Sequence, residues 1–170
     1  MTKKPQNFFS PASHGFVRIA CVTPKVHIAD PQANLAEHIS LSKRADDGGA
    51  DLVVFPELSL SAYAIDDLFT QEVLLDGVKM ALEDLIRASE SIRPVLAVGA
   101  PLLINGAIYN CAVVIHKGKA LGVIPKTFLP NYREYYERRY FASGADLYQP
   151  ALTLNDCGIL VGNDLVFHAD

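Results

Sequence analysis

The 170-residue sequence has no apolar run near 18 residues, so nothing in it reads as a transmembrane helix. Cysteine is sparse: Cys21, Cys111 and Cys157 have no close spacing. An odd, scattered count argues against a disulfide framework and suggests reduced thiols in a cytoplasmic protein. His14, His27, His38, His116 and His168 are scattered as well, with no metal-ligand spacing to cysteines or carboxylates, so no metal site is expected. Positive charge is also short. A net charge of -4 argues against a nucleic-acid binder, which usually carries a basic face. The one basic and aromatic cluster, Tyr132 to Tyr140, holds Arg133, Arg138 and Arg139, but Glu134 and Glu137 largely cancel them. There is no internal repeat, low-complexity tract or linker. The basic opening MTKKPQNFFSPASHG is followed by no long apolar segment, so it is expected to be a tail (1–13) and not a signal peptide.

What is present is a globular composition. Half of the residues are hydrophobic and a fifth are charged, which at this length supports one domain with a real core, 14–170. Phe16 to Val22 reads as a first strand, with Cys21 as a small core hydrophobe. Asp30-Pro31 reads as a helix cap followed by proline at the first helical position. That helix runs to about Ala45 on a thin apolar stripe of Leu35, Ile39 and Ala45. Gly48-Gly49 ends it. Ala50 to Phe55 is a second strand, apolar on both faces as if covered on both sides. A loop with one helical turn at Ile65 to Phe69 leads to the longest helix, about Thr70 to Ile92, where Leu74, Val78, Ala81, Leu82 and Leu85 recur at helical spacing. Val95 to Gly99 is a third strand. Leu102 to Ile104 and Ala107 to Ile115 form a hairpin across Asn105-Gly106. Lys117-Gly118 turns into a strand at Leu121 to Ile124. Ala151 to Leu154 and Ile159 to Val161 read as a last hairpin. The order is β-α-β-α-β followed by a meander.

Two strands end alike. The run Leu52 to Phe55 ends in Pro56 and then Glu57; the run Leu121 to Ile124 ends in Pro125 and then Lys126. In α/β sheets, ligands and chemistry collect at the carboxyl ends of strands. A carboxylate and an ammonium delivered there suit a base and an anion stabiliser. On residue types alone, such charges are more often a solvated edge or an ordinary ion pair.

The segments FPELSLSAYAIDDLF, VGAP and IYNCAVVIHKGKALGVIPKTFLPNYREYYERR form an ordered series that resembles the nitrilase, or carbon–nitrogen hydrolase, superfamily. With the opening HGFVRIA, they look most like the glutaminase domains of bacterial glutamine-dependent NAD synthetases, over nearly the whole chain from His14 to Asp170. The resemblance implies an α/β fold, the nitrilase-like four-layer α-β-β-α sandwich, here truncated, and a Glu-Lys-Cys site. By it, Glu57 is the general base, Lys126 stabilises the oxyanion, and Glu134, eight residues on, positions the lysine. Tyr132 and Tyr63 are expected near bound glutamine. The nucleophilic cysteine of such proteins lies in a Cys-Glu pair after the lysine. Cys157 is the only cysteine there and no glutamate follows it, so the nucleophile is expected beyond Asp170 and this piece alone is expected to be inactive. An uncovered strand edge and apolar face are expected as well. The resemblance further implies glutamine as substrate, the protein's own synthetase domain as partner, homo-oligomers, and ATP and Mg2+ only for that other domain. A stand-alone nitrilase-type amidase and a non-catalytic assembly piece are the alternatives.

Overall fold

The computed structural model describes Phe8 and residues 11–168. The expected tail therefore lies largely outside the described residues; within them, Pro11–His14 makes one 3-10 turn. The chain continues as β1 (Ile19–Cys21), α1 (Pro31–Asp47), β2 (Leu52–Val54), α2 (Glu72–Ala88), β3 (Val95–Ile104), β4 (Ala107–His116) and β5 (Lys119–Pro125). A small pair, β6 (Thr153–Leu154) and β7 (Cys157–Gly158), follows.

Five strands form one sheet in the order β1-β2-β3-β4-β5. The first three are parallel, and β4 and β5 alternate in direction. Hence β5 runs parallel to β2, and the carboxyl ends of both open at the same edge of the sheet. The third strand and the first arm of the hairpin prove to be one ten-residue strand, because antiparallel pairing with β4 continues from Leu96 to Ile104. Asn105 (φ 50°) and Gly106 (φ 80°) make the expected tight turn, both in the left-handed region. The last hairpin is shorter than expected; beyond it, Val161 bridges to Val123 on β5.

Side chains that alternate along the strands give the sheet two unlike faces. Val53, Leu96, Val98, Val113, Ile115 and Val123 are fully buried and join one core with Val78, Leu82, Leu85 and Ile86 of α2. α1 packs against α2, and a Cβ added at Gly77 of α2 would lie 3.4 Å from the Pro31 ring. On the opposite face Ile19, Cys21 and Ala112 are exposed, and Leu52, Val54, Ala97 and Ile124 are only half-buried. Leu165 and Phe167 cover that face at Gly122. The described residues thus form a helix layer on a sheet layer, one α-β half of the expected sandwich. Cys21 is not a core residue: its strand is at the sheet edge and it points to the open face. Among the described residues no helix is long and apolar enough to cross a membrane.

The buried line of α1 is not the apolar stripe read from the sequence. Asp30 caps it through Ala33 N at 3.0 Å, and Gly48 follows its last residue, as expected. Its buried residues, however, are chiefly Asn34, His38 and Ser42, with Leu35. Ile39 and Ala45 are only partly buried. The four-residue spacing puts the three polar groups on one side of the helix.

Candidate active site

Glu57 and Lys126 meet although two strands separate β2 from β5, a gap of about 14 Å at ordinary strand spacing. The gap closes because the chain leaves β2 sideways, over β3. Pro56–Leu58 crosses above Gly99, where an added Cβ would lie 2.4 Å from both Pro56 O and Leu58 N. Only a residue without a side chain lets the two backbones approach this closely. Leu58 completes the turn at φ 53°, an uncommon conformation for a non-glycine residue. Lys126 is fixed by its own backbone: its N–H donates to Asn110 O at 2.7 Å and its carbonyl accepts from Gly144 N at 2.9 Å.

The lysine ammonium sits between two carboxylates. Lys126 Nζ is 2.7 Å from Glu57 Oε1, 2.9 Å from Glu137 Oε2 and 3.0 Å from Glu137 Oε1. Asn110 Nδ2 donates to the same Glu57 oxygen. Tyr63 Oη donates to Glu137 Oε1 at 2.6 Å. The three charges are graded in exposure: side chains are 5% exposed for Glu137, 29% for Lys126 and 43% for Glu57. Glu137 is thus the interior anchor and Glu57 the solvent-facing group. Burial opposes the charged form of Lys126, but the hydrogen bonds and charges of Glu57 and Glu137 outweigh it and hold the ammonium above the usual lysine pKa. Burial and then Glu137 push the Tyr63 phenol up, so Tyr63 remains a donor.

Glu134, expected on the lysine, is not there. The segment after Pro130 loops outward, turns with Arg133 at φ 53°, and returns when Glu137 N bonds Pro130 O at 3.1 Å. That return places Glu137 on Lys126 and leaves Glu134 exposed on the wall of a neighbouring cavity of about 230 Å³. Tyr63 and Glu137 line the same cavity, with Leu58, Phe69 and Phe141 as apolar walls. Tyr132 is 65% exposed, packs edge-on to Tyr135 and does not line it. On the other side, an open groove of about 360 Å³ runs along the sparsely covered sheet face past Glu57, Asn110 and Lys126. Asn110 and Glu137 are the two site residues that the sequence reading missed. Asn110 stands one register step beyond the Cys111–Pro125 pair that ends β5, and so lies opposite Lys126.

None of the three cysteines joins the cluster. Cys111 follows Asn110, but its side chain alternates to the helix-covered face, where burial pushes the thiol pKa up. Cys157 and Cys21 are exposed. Among the described residues no three His, Cys, Asp or Glu side chains converge as metal ligands. The arrangement can accept a proton at Glu57 and neutralise a developing negative charge beside Lys126.

The sequence profile described as Carbon-nitrogen hydrolase matches residues 18–167. The chain belongs to the carbon–nitrogen hydrolase family. Over 163 residues this carbon–nitrogen hydrolase chain is 48% identical to the glutamine-dependent NAD(+) synthetase of Mycobacterium tuberculosis, covering 96% of this chain and 24% of that protein. It is similar in structure to a glutamine-dependent NAD(+) synthetase from Cytophaga hutchinsonii, with a TM-score of 0.81 at 21% identity over 91% of this chain and 26% of that one. A glutamine-dependent NAD+ synthetase from Acinetobacter baumannii, solved with ADP, aligns at a TM-score of 0.66 and 28% identity, over 84% of this chain and 27% of that one. The chain spans about a quarter of the length of these relatives.

Proposed function

We propose that this chain is the N-terminal part of the glutaminase unit of a glutamine-dependent NAD synthetase. The observation that carries the reading is Lys126 held between Glu57, which faces the open groove, and Glu137, which lines a small, partly apolar cavity. Amide hydrolysis needs a nucleophile, a base and an oxyanion donor. Glu57 takes the proton of a thiol, and the thiolate attacks the side-chain amide carbon of glutamine. The negative charge then gathers on the former carbonyl oxygen, beside Lys126. As the C–N bond breaks, Glu57 returns its proton to the departing ammonia. Glu57 next deprotonates a water, which attacks the thioester, releasing glutamate and restoring the thiol. In this reading the nucleophilic cysteine comes from outside the 170 residues, because Cys21, Cys111 and Cys157 stand away from Glu57 and Lys126.

Tyr63 and Glu134 face the cavity that would take the amino-acid end of glutamine. Ammonia would pass to the protein's own synthetase domain, where ATP and Mg2+ would bind; none of them is needed by this part. The intact protein would work as a homo-oligomer in the cytoplasm.

The test is glutamine hydrolysis by the full-length protein, with Glu57→Gln and Lys126→Ala beside it. The expected result is ammonia release that each substitution reduces by about a hundredfold or more, and none from residues 1–170 alone. Turnover by residues 1–170 that Lys126→Ala abolishes would show that the site is complete within this chain.

A further inference from the structure

The polar line buried on α1 is joined to the segment that carries Glu57. His38 is fully buried. Its Nδ1 lies 2.7 Å from Asn34 O, a backbone carbonyl that can only accept, so Nδ1 carries the proton. Its Nε2 lies 2.8 Å from Ser59 Oγ. With the ring neutral, Nε2 accepts from the serine hydroxyl; Gly99 O, 3.5 Å from the same Oγ, is too far to compete. Burial favours this neutral ring. The face of the imidazole stacks on Phe55, with centroids 4.2 Å apart and planes at 20°. One turn earlier, Asn34 Nδ2 donates to Leu60 O at 3.0 Å.

Phe55 and Ser59 stand two residues before and two residues after Glu57. Between them lie the crossing over Gly99 and the left-handed Leu58. A backbone in that conformation persists only where its surroundings hold it. β3 holds it from one side, through Phe55 N on Ala97 O and Leu60 N on Gly99 O. His38 holds it from the other.

We propose that His38 is a positioning residue for Glu57: a neutral imidazole that grips Phe55 by its face and Ser59 by Nε2, and so fixes the carboxylate against Lys126. The inference rests on the reading of Glu57 as the base. His38 touches neither substrate nor Glu57, and acts only through the two residues flanking it. Of the residues that line the glutamine cavity only Leu58 belongs to the gripped segment, so loss of the grip frees the base and affects the chemical step far more than binding.

The experiment is glutaminase kinetics in the full-length protein for His38→Leu, His38→Gln and Ser59→Ala. A base displaced by about 1 Å costs on the order of a hundredfold in rate. The expected result is kcat lowered by about that factor in His38→Leu with KM changed less than about twofold, a smaller loss of the same kind in Ser59→Ala, and recovery of most of kcat in His38→Gln, whose amide oxygen can accept from Ser59. Ordinary kcat in His38→Leu or Ser59→Ala, or a His38→Gln protein no better than His38→Leu, would overturn the inference. If His38→Leu does not fold, Ser59→Ala against His38→Gln decides. Glu57→Gln runs in parallel: undiminished turnover there would overturn the reading of the base itself, a result distinct from failure at His38.

Discussion

Lys126 Nζ is within 3.0 Å of both carboxylate oxygens of Glu137, and Glu137 is the most deeply buried charge of the site. A buried carboxylate is tolerable when it is paired and hydrogen-bonded, and here the partners are Lys126 and the Tyr63 hydroxyl. The reactive face of the lysine, toward Glu57 and the groove, is therefore aimed from behind by Glu137.

Substituting Glu137→Gln should lower kcat by about a hundredfold through a misplaced ammonium. It should also cost about 2 kcal/mol of stability, less than a fully buried pair because Lys126 is partly exposed. Glu134→Gln should leave the position of Lys126 unchanged and affect mainly KM. Steady-state kinetics of the two variants side by side checks this; equal kcat losses would return the positioning role to Glu134.

Tyr63→Phe removes one charge-assisted hydrogen bond to Glu137 and nothing else of its shape. The expected cost is about 1.5–3 kcal/mol, in stability or in the barrier, which thermal unfolding and kcat together read out. A variant indistinguishable from the parent in both would show that the Tyr63 hydroxyl carries no net energy.

Gly99→Ala places a methyl group 2.4 Å from Pro56 O and Leu58 N. The backbone must move, since neither atom belongs to a flexible side chain. The expected result is a loss of about 1–3 kcal/mol together with loss of the Glu57–Lys126 contact. A crystal structure of the variant with Glu57 still on Lys126 would refute it.

Two groups give opposite pH signatures. Lys126 has a raised folded pKa, so its contribution to stability is full below the ordinary value of 10.5 and is lost only as pH rises through the folded pKa. His38 has a folded pKa lowered chiefly by burial, against the raising effects of Asn34 O and Glu37. Its unfolded form binds the proton first, so stability is full above 6.5 and falls as pH drops below that value. Denaturation midpoints from pH 5 to 11 should fall at the acid end in the parent, and His38→Gln should flatten that acid slope. An unchanged slope would assign it to other groups.

Residues 1–170 by themselves should self-associate. β1 is paired on one side only among the described residues, and Ile19, Cys21 and Ala112 are exposed on an otherwise apolar sheet face. Light scattering at rising concentration checks this, and a monodisperse monomer would count against it.

The strand ends were legible because their signals are local. Pro56-Glu57 and Pro125-Lys126 each close an apolar run, Asp30-Pro31 starts a helix, and Asn105-Gly106 makes a two-residue turn; each depends on a few adjacent side chains. The order β-α-β-α-β-meander follows from those signals, and it brings Glu57 and Lys126 to one edge. What the sequence by itself determined is thus the frame, the strand ends and the two charges they deliver. It did not determine which glutamate reaches the lysine. Counting eight residues from Lys126 assumes a direct path, while the chain loops out at Arg133 and returns four residues later at Glu137. Nor could it reveal that α1 buries Asn34 and His38. A polar residue on a helix reads as solvent-facing until a partner is known, and their partners, Leu60 O and Ser59 Oγ, lie 26 and 21 residues away. Burial of a polar group is decided by the atoms that satisfy it, and only the tertiary fold brings those atoms together.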